Sequence, residues 1–235
     1  MDSLKRATAE FLRCGRSHVV HFLSADPIAR ARGDEAYRDL LNRADLNAPD
    51  GMPVAWAVRL LGQESERVAG SEGIAALSAW GVESGLRHYL FGGRPEVLQR
   101  LRSHLEGSNP RISIVGAESP PFRRLSRKEL REAADRIREA QADLLWIGLG
   151  TPSQDWVAEE LRIETAAPVI LCVGAAFDFV SGAKRRAPRW MQRFGLEWIY
   201  RLVHEPRRLW RRYLVGNPIF LLGVMSAYRR NRRSA

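Results

Sequence analysis

The sequence predicts an α/β fold, a parallel sheet flanked by helices. Short apolar, β-branched runs alternate with longer helix-like stretches along the 235 residues, which is the pattern of βαβ units. Most of the short runs show no alternation of apolar and polar residues, as expected of strands covered on both faces. The length and the 45% apolar composition suffice for one substantial core. We therefore expect one globular domain with an additional segment.

Six strands and six helices are predicted along the chain. The strands are expected over residues 18–23, 44–48, 88–93, 111–116, 143–150 and 168–174. The helices are expected over residues 33–43, 53–61, 71–84, 94–105, 126–141 and 153–163. The helix over 126–141 has the clearest pattern, because Ser126 and Glu129 have the spacing of a capping box.

Loops at the ends of predicted strands are the candidates for a binding site. Ligands of open parallel sheets bind beyond the carboxyl ends of the strands. The loops in question cover residues 24–27, 47–53, 148–156 and 174–182. Residues 119–125 are expected to form a further ordered loop.

The positive charge is concentrated at the C-terminal end. Residues 181–235 contain 14 of the 37 Lys and Arg residues but only Glu197 and Glu205 of the 27 acidic ones. Their formal charge is therefore +12, and the remainder of the chain carries −2. Arg201, Arg208 and Arg212 follow helical steps, and Pro206 is expected to separate two helical pieces.

Several interpretations of this basic segment remain open at this point. It could lie on an anionic membrane, with arginines on phosphates and aromatic residues at the interface. It could close over a diphosphate, which the arginine fork fits. Nucleic-acid binding is a third function, although no recognisable nucleic-acid module surrounds the segment. A solvated helix packed through its aromatic side is the structural alternative.

Other classes of protein are not expected. Cys14 and Cys172 are too few for a disulfide framework or a zinc site, and the five histidines have no metal-binding spacing. There is no GxSxG motif, signal peptide or apolar run long enough to cross a bilayer. We predict no metal, no cofactor, and neither secretion nor a transmembrane segment.

Asp50 is the first candidate for chemistry. It follows a predicted strand in "NAPDGMPVAW" and precedes a helix whose first turn contains Pro53. A carboxylate at this position can face a cleft and act as a general base. The alternative is that "PDG" is an ordinary turn that Asp50 caps.

Three further loops contain candidate residues. In "GLGTPSQDW" a glycine-rich turn leads into a helix whose N-terminus can bind an anion, and Gln154 can bridge sugar hydroxyls. Gly92 and Gly93 allow a close approach of backbone to ligand, or simply a tight turn. Asp178 lies between two phenylalanines and requires a partner, either a substrate or a neighbouring arginine.

Together these segments resemble the WecG/TagA/CpsF glycosyltransferases, glycosyltransferase family 26. The resemblance runs over "LLNRADLNAPDGMPVAWAVRLLG", "ERVAG", "LFGG", "IGLGTPSQDW", "CVGAAFDFVSGAKRRAPRWMQRFGLEWIYRL" and "EPRRLWRRYL". It implies a Rossmann-like core over residues 1–195 and a basic helical appendage over 196–235. It also implies inverting, metal-independent transfer of a sugar related to N-acetylmannosamine from a nucleotide-sugar, UDP-linked, to a polyprenyl-diphosphate-linked acceptor.

The resemblance also assigns roles to residues. Asp50 would deprotonate the acceptor hydroxyl, and Gln154 would help to hold the donor sugar. Arg201, Arg208 and Arg211 would bind the diphosphate and stabilise the leaving group. The donor-binding positions would be completed by Ser24, Gly92, Gly93, Gly150, Pro152 and Asp178.

The resemblance also implies a location and partners. The protein would be peripheral, at the inner, cytoplasmic face of the cell membrane, would be able to self-associate and would bind no nucleic acid.

The sequence departs from the family pattern at two places. Phe22 and Ser24 stand where the family has a T-x-N pattern, and Asp155 stands where it generally has Glu. The alternative function is an inactive nucleotide- or polyanion-binding protein of the same fold.

Overall fold

The computed structural model describes residues 1–164 and 169–234. A six-stranded parallel sheet flanked by helices confirms the predicted α/β, Rossmann-like fold. Its strands are β1 (His18–Leu23), β2 (Leu46–Pro49), β3 (Arg87–Gly92), β4 (Ser113–Glu118), β5 (Leu144–Gly148) and β6 (Val169–Cys172). They lie in the order β2-β1-β6-β5-β3-β4. Pro168, the predicted start of the last strand, lies outside the described residues, as does Ala235 at the end of the basic segment.

Helices connect the strands and form the C-terminal part of the chain. They are α1 (Asp2–Arg13), α2 (Ala25–Gly33), α3 (Glu35–Asn42), α4 (Met52–Leu60), α5 (Gly70–Ser84), α6 (Pro95–Ser108), α7 (Arg127–Glu139), α8 (Ser153–Glu164), α9 (Ala176–Val180), α10 (Arg189–Arg193), α11 (Glu197–His204), α12 (Pro206–Trp210) and α13 (Gly216–Ser234). A π-helical turn, Arg211–Val215, joins the last two. No helix among the described residues is long and apolar enough to cross a membrane.

Local sequence patterns explain several helix ends. The capping box at Ser126 and Glu129 is formed, as predicted. Helix α11 ends before Pro206, which opens α12, so the predicted break is also confirmed. The helix predicted from residue 33 begins instead at Glu35, because the Asp34 side chain accepts a hydrogen bond from the Tyr37 N–H at 2.9 Å.

Two predicted loops are wrong in part. Residues 24–27 were expected to be irregular, but Ser24 is the N-cap of α2. Pro27 falls within the first turn of that helix, where a missing backbone N–H breaks no helical hydrogen bond. The predicted loop over 174–182 contains the short helix α9, and the N-terminal helix α1 was not predicted.

The chain forms two compact units. Unit 1 comprises residues 1–22, 44–46 and 70–185. Its core lies between one face of the sheet and helices α7 and α8. Strand residues two positions apart share this face, for example Leu145 with Ile147 and Ile170 with Cys172.

Unit 2 comprises residues 23–43, 47–69 and those from 186 onward. One cluster packs Tyr37 and neighbouring apolar residues of α3 against α2. In a second cluster Phe220 of α13 packs with Ala29, Val54 and Ala57, and only 4% of Phe220 is exposed. The basic C-terminal segment therefore contributes to the core of this unit.

Candidate active site

Unit 2 contains a cavity of about 490 Å³, a volume within the usual range for small-molecule sites. Its lining is mainly apolar and aromatic, and Trp56, Phe194 and Trp198 are among the aromatic residues. The ionisable and hydroxyl-bearing side chains in the lining are those of Ser24, Asp26, Asp50, Arg67, Glu197, Arg201 and Tyr213. An apolar cavity with a few charged groups has the composition of a ligand site.

The backbone fixes Asp50 at the end of β2. Its N–H donates a hydrogen bond to the Leu23 carbonyl at 3.0 Å. The N-cap of the following helix, α4, is Gly51. Pro53 lies in the first turn of α4, as predicted. The Asp50 side chain therefore lines the cavity from a fixed position.

Ser24 also lines the cavity but has a partner within unit 2. Its hydroxyl accepts a hydrogen bond from Arg212 Nη2 at 3.1 Å. Arg212 Nε lies 3.4 Å from Asp26 Oδ2, and Arg30 Nε lies 3.0 Å from the same oxygen. These groups form a charge network at the N-terminal end of α2.

The three arginines predicted to bind a diphosphate have different environments. Arg201 of α11 lines the cavity. Arg208 pairs with Glu205 at 2.5 Å, and the Arg211 guanidinium lies 5.2 Å from the centre of the Trp210 ring. Within the described part of the chain, the cavity lining includes neither Arg208 nor Arg211. The structure thus brings Asp50, Ser24 and Arg201 to one cavity.

Glu197 is a second carboxyl group in this cavity. Burial raises the pKa of Glu197 above its ordinary value. The charge of Arg186 lowers the pKa of Glu197. The neighbouring charge of Asp50 raises it further. Arg201 and Arg67 also lower it. The cavity therefore contains two neighbouring carboxyl groups, those of Asp50 and Glu197, together with guanidinium groups.

Unit 1 contains the predicted site residues of the "GLGTPSQDW" segment. Gly150 has a positive φ of 79°, and a cis peptide bond precedes Pro152. Gln154 lies in the first turn of α8 and is only 3% exposed. Its Nε2 donates to the Cys172 carbonyl at 3.3 Å, whereas its buried Oε1 has no hydrogen-bond partner among residues 1–164 and 169–234. The amide of Gln154 is thus partly engaged within the protein.

Gly92 and Gly93 have a packing role at the ends of β3 and β5. A Cβ atom at Gly92, where φ is 127°, would lie 2.7 Å from the Gly148 carbonyl carbon. The Gly93 N–H donates to the Gly148 carbonyl at 3.1 Å. The lack of a side chain at Gly92 therefore allows β3 to approach the backbone of β5 closely.

Asp178 lies in α9, and its carboxylate is 3.3 Å from Lys184 Nζ. A lysine thus pairs with this carboxylate, whereas the two predicted alternatives were a neighbouring arginine and a substrate. The Lys184 N–H also donates to the Asp178 carbonyl at 2.9 Å. These contacts indicate a role in fixing the turn that follows α9.

A buried polar cluster in unit 1 was not predicted. His21 Nδ1 lies 3.0 Å from Asp155 Oδ1, and the Cys172 thiol lies beside them. Burial raises the pKa of the Cys172 thiol, and the charge of Asp155 adds to this. The three potential ligand atoms lie within 4.8 Å of one another. Histidine spacing in the sequence gave no indication of this grouping. Because the three side chains could hold a metal ion, the absence of a metal stays a prediction.

The glycosyl transferase WecG/TagA/CpsF family model matches residues 1–234 of the chain. The chain belongs to this family. Membership indicates a transferase that acts in cell-surface polysaccharide synthesis. It also implies a nucleotide-sugar donor and a lipid-linked acceptor.

In this WecG/TagA/CpsF glycosyltransferase, sequence reasoning missed three charged residues of the cavity, Asp26, Arg67 and Glu197. Arg67 stands within "ERVAG", and Glu197 stands within the longest stretch that resembles the family. The available indication for Glu197 was the presence of an acidic residue within a strongly basic segment. No residue pattern indicated that Arg67 and Glu197 line the same cavity.

Proposed function

We propose that the chain is an inverting, metal-independent glycosyltransferase that uses a UDP-sugar donor and a polyprenyl-diphosphate-linked sugar acceptor. The observation that carries the proposal is the single cavity lined by Asp50, Arg67 and Arg201. A carboxylate can accept a proton there while guanidinium groups balance the charge of a diphosphate.

In the proposed reaction, Asp50 takes the proton of the acceptor hydroxyl. The acceptor oxygen forms a bond to the anomeric carbon of the donor sugar as the bond from that carbon to the diphosphate breaks. This single displacement inverts the anomeric centre. UDP departs with the electron pair of the broken bond, so negative charge grows on its diphosphate as the transition state forms.

Arginine side chains stabilise that charge in the proposal. Arg201 and Arg67 line the cavity, and a planar guanidinium binds two phosphate oxygens at once. Such fixed positive groups supply the electrostatic stabilisation that a divalent cation provides in many phosphoryl and glycosyl transfers. Arg208 and Arg211 lie on the same basic segment and are proposed to join the diphosphate site when the donor binds.

The exposed apolar residues of the basic segment support docking on an anionic membrane surface at the inner face of the cell membrane. Trp190 is 57% exposed, Leu214 57% and Leu222 62%. Apolar side chains that enter the headgroup region, combined with arginines on lipid phosphates, bind a helical segment to such a surface. Docking would bring the cavity to an acceptor whose polyprenyl chain lies in the bilayer.

The test is release of UDP from a panel of UDP-sugars in the presence of a polyprenyl-diphosphate-linked sugar acceptor. At least one donor is expected to turn over, and Asp50→Asn should lower kcat by about a hundredfold or more. Added chelator should leave the rate unchanged. Thermal unfolding of the variant shows whether it retains the fold.

Three outcomes would contradict the proposal. They are a panel in which no donor turns over, a folded Asp50→Asn variant with unchanged kcat, and a strict requirement for a divalent cation. The first outcome would favour a binding protein of the same fold. The third would contradict the argument that Arg201 and Arg67 take the place of a divalent cation.

A further inference from the structure

Two helices form an apolar groove along the cavity of unit 2. The cavity lining includes Trp56, Ala57 and Leu60 of α4 and Phe220, Leu221 and Val224 of α13. Each set has the spacing i, i+1 and i+4, which places its three side chains on one side of a helix. We call the surface formed by these six residues the α4/α13 groove.

The floor of the α4/α13 groove belongs to the core of unit 2. Ala57 and Phe220 are buried and are members of one apolar cluster. Leu60 and Leu221 line the same cavity but are 52% and 57% exposed. The groove therefore has a fixed inner side and presents apolar surface to solvent. Covering that surface with an apolar ligand is favourable.

The Trp56 ring is held against the chain that follows α10. A Cβ atom added at Gly195, where φ is 68°, would lie 3.0 Å from this ring. The backbone at Gly195 thus packs closely against Trp56, and the lack of a side chain permits this approach. The ring is therefore a preformed wall of the groove.

The groove leads away from Asp50. Asp50 directly precedes Gly51, the N-cap of α4, and both Asp50 and Leu60 line the cavity. Helix α4 begins at Met52 and ends at Leu60, so Leu60 lies about 12 Å further along the helix axis at about 1.5 Å per residue. The carboxylate of Asp50 is thus followed by apolar lining along one helix.

This order of groups matches the acceptor better than the donor. A nucleotide-sugar is polar along its whole length, and an apolar lining would remove water from its hydroxyls without offering hydrogen bonds, which is costly. A lipid-linked acceptor, which family membership implies, carries its hydroxyl at one end and hydrocarbon at the other. Its hydroxyl can reach Asp50 while its hydrocarbon lies toward Leu60.

We propose that the α4/α13 groove binds the isoprene units of the acceptor that adjoin its diphosphate. This inference rests on the proposed function, which supplies the polyprenyl chain. A cavity of about 490 Å³ holds a drug-sized molecule, so only these first units enter it and the remainder of the chain stays in the bilayer. No covalent bond forms or breaks in this step. Its free energy comes from the removal of apolar surface from water.

The experiment is isothermal titration calorimetry of the full chain with methyl, geranyl and farnesyl diphosphate, in buffer without lipid or detergent. The three probes share the diphosphate and differ in the length of the apolar chain. Affinity is expected to rise with chain length, and farnesyl diphosphate should bind about a hundredfold more tightly than methyl diphosphate. The heat-capacity change of binding should become more negative in the same order, because more apolar surface is buried.

Leu221→Ser and Leu222→Ser form a matched pair. The two residues are adjacent in α13 and similarly exposed, but over residues 1–164 and 169–234 the cavity lining includes Leu221 and not Leu222. Leu221→Ser should bind farnesyl diphosphate about tenfold more weakly and methyl diphosphate unchanged. Leu222→Ser should bind both probes as the wild-type chain does, because the assay contains no membrane. Circular dichroism and the melting temperature verify the fold of both variants.

Each contrary outcome overturns the inference. Equal affinity for the three probes, or binding of none of them, would remove the apolar subsite, and this series on the wild-type chain decides even if Leu221→Ser does not fold. Equal weakening by both serine variants would indicate unspecific contact with the exposed side of α13. If Leu221→Ser weakens binding of UDP-N-acetylglucosamine and leaves farnesyl diphosphate unchanged, the groove belongs to the donor.

The proposed transfer reaction fails separately from this inference. Its test is the turnover of UDP-sugars and of Asp50→Asn, whereas the dependence of affinity on chain length needs no turnover. A chain that prefers farnesyl diphosphate but transfers no sugar would retain the apolar subsite and contradict the reaction.

Discussion

At the scale of single residues, position relative to the cavity separates two arginines that look alike in the sequence. Arg201 and Arg208 are seven residues apart in one basic segment. Arg201 lines the cavity, whereas Arg208 pairs with Glu205 and is 56% exposed. Their contributions to a reaction in that cavity should differ accordingly.

Arg201→Ala is therefore expected to lower kcat/KM more than Arg208→Ala does. The loss at Arg201 should be about a hundredfold, the usual cost of removing one fixed donor that stabilises transition-state charge. Steady-state kinetics of UDP release measures both variants. Arg38→Ala is the control, since Arg38 pairs with Glu35 on α3 and does not line the cavity. Equal losses at Arg201 and Arg208 would contradict the assignment.

Gly92 offers a residue-scale test of packing. Alanine there would have φ of 127° and its Cβ atom 2.7 Å from the Gly148 backbone, so Gly92→Ala should lower the free energy of unfolding by about 3 kcal/mol. Urea denaturation measures the change. Gly107→Ala is the control, because Gly107 lies in α6 and an added Cβ has open space. It should be neutral or slightly stabilising, and a similar loss in both variants would refute the packing argument.

The sequence predicted part of the candidate site, for a physical reason. Asp50 was found because the carboxyl end of a strand can be recognised from local pattern. Glu197 was not found, since its place in the cavity depends on contacts between segments far apart in the chain. Its single negative charge is also outweighed by the surrounding arginines in any count of charge.

At the scale of elements, Asp45 joins β1 to α8 within unit 1. Its carboxylate accepts the Val19 N–H at 2.9 Å, lies 2.9 Å from His18 Nδ1 and 3.6 Å from Arg162. Burial raises the pKa of Asp45, but these partners outweigh burial and hold the pKa below its usual value. The ionised carboxylate therefore stabilises the folded chain.

Asp45→Asn should lower the free energy of unfolding by about 2 kcal/mol at neutral pH, through the loss of charge-assisted hydrogen bonds. Because the pKa of Asp45 is lower in the folded chain, its stabilisation is present above the unfolded pKa. It is lost as the pH falls through the folded pKa. Urea denaturation over a pH series should show the wild-type and variant curves converging at low pH. Asp135→Asn, on the exposed face of α7, should have little effect at any pH.

The elements themselves were predictable to different degrees. Buried strands such as β5 and β6 were found because unbroken apolar runs are typical of a covered parallel sheet. Helix α2 was not found, since Pro27 close to Ser24 also suits a turn. Only the hydrogen bonds of the following residues distinguish a helix start from a turn, and a local pattern does not reveal them.

At the scale of the whole molecule, the basic segment has both exposed and buried apolar residues. Trp190 and Leu222 are exposed, whereas Phe220 is buried in the core of unit 2. Deleting the residues after Gly195 would therefore remove core packing together with any membrane contact. Point substitutions of exposed residues test membrane docking without removing core residues.

The double variant Trp190→Ala/Leu222→Ala should bind anionic liposomes about tenfold more weakly, because it removes apolar surface available for burial. Liposome co-sedimentation measures the change, and salt should weaken the binding of the wild-type chain. Phe122→Ala is the control, since Phe122 is fully exposed but lies outside the basic segment. Unchanged binding by the double variant would refute docking through these residues.

The burial of Phe220 against α2 and α4 also has a consequence for biosynthesis. A ribosome completes Ala29, Val54 and Ala57 well before it reaches Phe220. At roughly 5–20 residues per second, this interval lasts several seconds or more. During that time the nascent chain exposes the apolar faces that Phe220 will cover, so they are accessible to chaperones. The cavity of unit 2 can therefore mature only after translation has passed that phenylalanine.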